Sequence, residues 1–209
     1  ADKYSYDFAF LTIASGTCGD NLTWILDTAG TLTIYGSGAM DLPYGPPWGE
    51  HSEAIKVVNI TGGVTSIEYN AFADCSNLTR ATISDSVVRI GKYAFSCCTA
   101  LTNITIPSSI TEIGWGAFSD CTNLVSVTIE NGVTKIEGAF CDCTSLQNIV
   151  IPSSITEIEF RTFSGCTALT SVTIPDGVTT IGESAFEGCT GLTSVTISDS
   201  VTKISSAFA

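Results

Sequence analysis

"LTSVTIPDGVTTIGESAFEGCTG" (Leu169–Gly191) reads as one turn of a coil. Leu169, Val172 and Ile174 are apolar, while Thr170, Ser171 and Thr173 between them are polar. The last four residues of "LTSVTI" alternate as a half-buried strand does, with β-branched residues enriched. Pro175 stops strand pairing, and "PDG" (Pro175–Gly177) supplies turn chemistry. "VTTIG" (Val178–Gly182) is a second short extended piece. "ESAFEGC" (Glu183–Cys189) then returns Ala185, Phe186 and Cys189 to the core as a helical turn or tight loop.

Close copies of this unit run along the chain. Cys75, Cys98, Cys121, Cys143, Cys166 and Cys189 are separated by 23, 23, 22, 23 and 23 residues. Phe72, Phe95, Phe118, Phe140, Phe163, Phe186 and Phe208 keep the same phase, as do the isoleucines from Ile67 to Ile204. The 22-residue step is a one-residue deletion in "IEGAF" (Ile136–Phe140), where the preceding unit has "IGWGAF" (Ile113–Phe118). A fixed period of this length means a solenoid, because each unit needs its neighbours to bury its apolar face. Units begin at Ile55, Leu78, Leu101, Leu124, Leu146, Leu169 and Leu192. The seventh reaches Phe208–Ala209 without its cysteine, which leads to the expectation of a longer parent protein.

Residues 55–209 are therefore predicted to be a β-rich solenoid, and residues 1–54, which lack the repeat, a β-hairpin cap over its first layer. "NLTWILDTAGTLTIYG" (Asn21–Gly36) gives two strands around "DTAG", and Asp41–Glu53 a loop into the first unit. Stacking in register also predicts a charge ladder, Arg89–Glu112–Lys135–Glu157, whose main use would be to oppose a slip.

Composition narrows the function. Hydrophobic content is 44% and charged content 14%, which suits a folded chain. Eight Lys+Arg against 21 Asp+Glu give a formal charge of −13, which argues against nucleic acid and anionic membranes as partners. No apolar run approaches the roughly 18–20 residues of a membrane helix, so no membrane insertion is expected.

The recurring cysteine has three readings. A zinc site needs converging Cys/His ligands, whereas this series supplies one thiol per layer and the chain has a single histidine, His51. A disulfide needs Cβ atoms turned toward each other, whereas stacked side chains point the same way. Packing remains: a free cysteine is a small apolar body with a weak donor. Cys75, Cys98, Cys121, Cys143, Cys166 and Cys189 are assigned to the fold. Cys18, Cys97 and Cys141 fall outside the series and are read as incidental thiols, with no recurring histidine to activate them.

"I-P-x-x-V-T-x-I-G-x-x-A-F-x-x-C", the pattern of Leu169–Gly191, resembles the repeat of the BspA-like (treponemal-class) leucine-rich repeat family across residues 55–209. "SGTCGDNLTWILDTAGTLTIYGSGAM" (Ser15–Met40) and "PPW" (Pro46–Trp48) are similar to the segment that often precedes such repeats in gut-associated bacteria. The resemblance implies a right-handed leucine-rich repeat solenoid with a parallel sheet on its concave face. It also implies secretion or attachment at the cell surface, and adhesion to host matrix proteins, other cells or other bacteria. No anchor is read in these residues. The sequons at Asn21, Asn59, Asn77 and Asn103 are then by-products of the repeat. Burial and an anaerobic habitat, the latter implied by the resemblance, would reconcile free thiols with export.

Catalysis finds little to work with. His51 lies in a Pro/Gly-rich loop, no phosphate loop or H-E-x-x-H is present, and no cofactor or metal is expected. Glu157 and Glu159 are read as a solvated face. Binding is assigned to outward positions of the first strands, namely Arg80, Asn103, Thr105, Ser126, Thr128, Asn148, Ser171 and Ser194. This hydroxyl and amide surface suits weak multivalent contact with host extracellular-matrix or cell-surface proteins, glycans or other bacteria. Tyr35, Tyr44 and Trp48 form a second candidate patch, weighed against a role in covering the first layer. The expected state is a monomer. The competing reading is a spacer that holds another domain away from the cell.

Overall fold

Each unit opens with a strand because its β-branched residues alternate between core and solvent. In β14 (Ser171–Ile174), Ser171 and Thr173 are exposed while Val172 and Ile174 are buried. The same strand recurs as β4 (Val57–Ile60), β6 (Arg80–Thr82), β8 (Asn103–Ile106), β10 (Ser126–Ile129), β12 (Asn148–Val150) and β16 (Ser194–Ile197). A second, shorter strand follows in every unit: β5 (Gly63–Ile67), β7 (Arg89–Ile90), β9 (Glu112–Ile113), β11 (Lys135–Ile136), β13 (Glu157–Ile158), β15 (Thr180–Ile181) and β17 (Lys203–Ile204). The computed structural model describes residues 11–208; the first ten residues of the segment read as a cap, and Ala209, lie outside the described residues.

Both strand lines stack in parallel, one unit above the next, as a leucine-rich repeat solenoid. Asn103 pairs with Ser126, and Ser126 with Asn148. On the second line Arg89 pairs with Glu112, and Glu112 with Lys135. Neither ladder is continuous. The first line divides into β4-β6, β8-β10-β12 and β14-β16, and the second breaks between β11 and β13, beside the one-residue deletion.

The predicted charge ladder is only partly realised. Its register holds from Arg89 to Lys135, but Lys135 and Glu157 lie on opposite sides of the break. Arg89 turns away from Glu112 and donates to Glu68 at 2.7 Å, the residue that its own unit's neighbour presents on the other side. An exposed arginine takes the carboxylate its long side chain reaches best, and strand register does not dictate that choice.

The cap is more than a hairpin. β1 (Thr12–Gly19), β2 (Leu22–Asp27) and β3 (Thr31–Ala39) form an antiparallel meander. β3 is long enough to start both ladders: Thr31–Ile34 pair with Val57–Ile60, and Ser37–Gly38 pair with Gly63–Val64. Between those halves Gly36 adopts φ +118°, and a Cβ there would lie 2.0 Å from the Asn21 carbonyl oxygen, so glycine is required.

Aromatic rings mark the core axis. Phe72, Phe95, Phe118, Phe140, Phe163, Phe186 and Phe208 stack with centroids 5.0–5.8 Å apart. Trp48 extends this column by one layer. It stacks on Phe72 at 5.6 Å, meets Trp24 edge-on at 5.7 Å and donates its indole N–H to the Ala71 carbonyl at 2.7 Å.

The return from second strand to first strand is a run of tight turns instead of a helix, with two left-handed residues per layer. One column holds Asn70, Tyr93, Gly116, Gly138, Arg161, Ser184 and Ser206; the other holds Asp74, Cys97, Asp120, Asp142, Gly165 and Gly188. Most side chains resist this conformation. Bonding between layers offsets the cost: Phe95 N–H donates to the Ala117 carbonyl at 2.7 Å, and Cys97 N–H to the Ser119 carbonyl at 2.9 Å. No helix among the described residues is long and apolar enough to cross a membrane.

Candidate functional site

The strands bring the predicted binding residues into rows. Arg80, Asn103, Ser126, Asn148, Ser171 and Ser194 occupy one row, with Thr105 and Thr128 two residues further along their strands. All are exposed. The breaks after β6 and after β12 divide the row into three sections. At the first break lies an open groove of about 330 Å³, lined by Arg80, Thr82, Asp85, Asn103, Thr105 and Glu130.

Hydroxyl rows on this molecule differ in what they bond. Thr79 and Thr193, at the starts of their strands, donate to the carbonyls of Lys56 and Thr170 in the preceding units. Thr111, Thr134, Thr179 and Thr202 do likewise before the second strands. Those hydroxyls tie layers together. Ser126, Asn148, Ser171, Ser194, Thr105 and Thr128 instead make no side-chain hydrogen bond within the described residues, so their donors and acceptors face outward. Sequence alternation predicts exposure, but not this division between spent and unspent polar groups.

The six serial cysteines are buried. From Cys98 onward each thiol donates to the phenylalanine carbonyl of the preceding unit, at 3.1–3.3 Å: Cys98 to Phe72, Cys121 to Phe95, Cys143 to Phe118, Cys166 to Phe140 and Cys189 to Phe163. Burial pushes the Cys75 and Cys121 thiols up to about 12 and holds Cys98, Cys143 and Cys166 well above the ordinary value. A thiol held neutral is neither a nucleophile nor a metal ligand. Cys97 and Cys141 sit half-buried in the turns. Cys141 donates to Asp142 at 3.3 Å, and burial, followed by that carboxylate, raises its pKa to about 11. Among the described residues no three His, Cys, Asp or Glu side chains form a metal-binding group.

Of two further candidates, the aromatic cluster takes the covering role at Trp48 and the Glu157/Glu159 pair divides. The aromatic patch does not assemble: Trp48 is buried in the column, whereas Tyr44 is fully exposed and Tyr35 partly so. Glu157 is exposed, but Glu159 is half-buried and its Oε2 has no hydrogen-bond partner. Burial is the main cause raising its pKa, with Glu137 and Glu157 adding and Lys135 opposing. It is therefore not simply part of a solvated face.

Comparison with known proteins follows this geometry. The family model described as the BspA type leucine rich repeat region matches in six copies, over residues 50–143 and 137–209. A T. pallidum leucine-rich repeat protein superposes with a TM-score of 0.68 at 25% identity, covering 94% of this chain and 84% of that one. A leucine-rich repeat protein from Eubacterium ventriosum gives 0.43 at 23% identity, covering 91% and 73%. A leucine-rich cell surface protein from Faecalibacterium prausnitzii gives 0.36 at 22% identity, covering 94% and 93%. No curated protein matches the chain at the sequence level.

Proposed function

The chain belongs to the BspA-type leucine-rich repeat family, and from that premise we propose that it is a non-enzymatic, secreted or surface-exposed recognition domain. Its first-strand face binds host or microbial proteins or glycans. One observation carries this reading: the row from Ser126 to Ser194 leaves its side-chain polar groups unspent, while Thr79 and Thr193 beside it and four threonines before the second strands spend theirs on the fold. Asn103, one unit earlier, donates to Thr102 at 3.1 Å.

The row contains neither tryptophan nor tyrosine, and Arg80 is its one arginine, so it lacks most of the anchors of tight protein interfaces. Its strength would come from repetition. Several weak contacts along one rigid face bind together because each raises the effective concentration at the next. The resemblance associates several family members with adhesion.

A binding screen against immobilised extracellular-matrix proteins and a glycan array tests the proposal, with Ser126→Arg as the control. Ser126 is exposed and tied to nothing, so the variant should keep its melting temperature. A saturable signal lost in that variant supports the first-strand face. A signal that survives it refutes the placement, and silence on both panels favours a spacer.

A further inference from the structure

A cleft on the second-strand side brings both signs of charge together beside a tryptophan. It is lined by Arg89, Lys92 and Lys135, by Glu112, Glu137 and Glu159, and by one wall of Trp115, and encloses about 140 Å³. Among these six charges only Arg89 has an ion pair, to Glu68 outside the lining. The buried Glu159 Oε2 is without a partner.

The wall has its own cause. Gly138, in the unit shortened by one residue, has φ +55°, and a Cβ there would lie 2.4 Å from the Trp115 ring. Trp115 spreads over that glycine and stacks on Phe160, two units on, at 5.6 Å and 15°. Arg161 lies 5.4 Å above the Phe160 ring, which is 41% exposed. These rings stand outside the phenylalanine column, so core packing does not call for them.

We propose that this cleft, with Trp115 as its wall, is a binding subsite for a neutral sugar ring. With Arg89 paired to Glu68, the lining still offers both signs, Lys92 and Lys135 against Glu112, Glu137 and Glu159. A ligand with net charge would satisfy one set and confront the other. A neutral polyol fits both, since each hydroxyl donates to a carboxylate or accepts from an ammonium or guanidinium group. The apolar face of such a ring matches an aromatic wall, and mixed aromatic and polar linings are typical of small-molecule sites. The volume lies below the roughly 300–1,000 Å³ of sites for drug-sized ligands, which suits one ring or the end of a chain.

The test is direct binding of a panel of neutral mono- and disaccharides, followed by titration calorimetry or ligand-observed NMR, with sialylated and sulfated glycans and mixed-charge peptides as competing classes. Glu137→Gln and Lys135→Gln alter exposed side chains and should leave the fold intact. Each should weaken a neutral sugar by about tenfold or more, the loss of one charge-assisted hydrogen bond. Trp115→Leu should do the same, while Ser126→Arg, on the other strand line, should not. Absence of neutral-sugar binding overturns the proposal, as does preference for anionic glycans or peptides, or affinity unchanged in all three cleft variants. Because Ser126→Arg reads the first-strand face and Glu137→Gln reads the cleft, failure of one site is distinguishable from failure of the other.

Discussion

Raising the pH is the perturbation to which the cysteine column should respond most strongly. Cys75, Cys98, Cys121, Cys143 and Cys166 are at most 1% exposed. Their thiols ionise in the unfolded chain near the ordinary value of 9.0, whereas burial puts Cys75 and Cys121 at about 12 in the fold and the other three well above 9.0. The sign follows from which state loses its proton first. Below pH 9 both states keep their thiol protons, and the column contributes no pH dependence. Above pH 9 the unfolded chain ionises while the fold holds its thiols neutral, so stability falls as pH rises toward 12. At pH 10 Cys75 and Cys121 together cost about 3 kcal/mol, and Cys98, Cys143 and Cys166 add to the loss in the same direction. Whole domains have only about 5–15 kcal/mol, so a loss of this size is a large share of the total. Urea unfolding followed by circular dichroism in reductant, from pH 7.5 to 10.5, measures this. If stability between pH 8 and 10.5 stays flat, or falls by no more than a single thiol's share, the column is not a stack of buried neutral thiols.

Other expectations follow from packing. Trp48→Ala should cost about 3–5 kcal/mol, because it empties the layer over Phe72 and orphans the Ala71 carbonyl, whereas Tyr44→Ala should stay within about 0.5 kcal/mol; chemical denaturation compares them. Gly138→Ala should destabilise by at least about 1 kcal/mol, since a left-handed residue gains a Cβ against Trp115, and tryptophan fluorescence should shift as the ring moves. Arg89→Ala should cost no more than about 1 kcal/mol, because its pair with Glu68 is exposed and screened; thermal melts at low and high salt check this.

Much of the fold was legible because stacking makes sequence period and spatial layer the same thing. The phenylalanine and cysteine series, the alternation in "LTSVTI" and the deletion at Ile136–Phe140 each have a direct counterpart in the structure. Features that depend on where a chain turns were not legible. Asp74, Cys97 and Tyr93 give no sign that their backbones are left-handed, since the reward is a hydrogen bond to the next unit. Of the two readings open for Trp48, surface patch or cover for the first layer, the structure takes the second, and its place 24 residues before Phe72 is close to the period. The breaks in the ladders have no sequence mark except the deletion. Thr12–Gly19 was missed as a strand, although its burial alternates, because "SGTCG" dilutes the β-branched signal.

Columns of the solenoid differ in how far their residues vary from unit to unit. Columns whose groups are spent on the fold hardly vary along the chain: six cysteines and seven phenylalanines repeat unchanged, since each must fit the copy beneath it. The outward row of the first strands varies within narrow limits, from Val57 through Arg80 and Asn103 to the serines, as a weak multivalent surface can. The position three residues before each stacking phenylalanine varies most: Tyr69, Lys92, Trp115, Glu137, Phe160, Glu183 and Ser205. Packing places no demand there, so variation alone would be neutral drift on an exposed turn. Stacking sets Lys92, Trp115 and Glu137 side by side along one cleft, where Glu159 carries a carboxylate oxygen the protein leaves unsatisfied. The serial columns build the scaffold, and the column released from packing is where this chain had room for a local site.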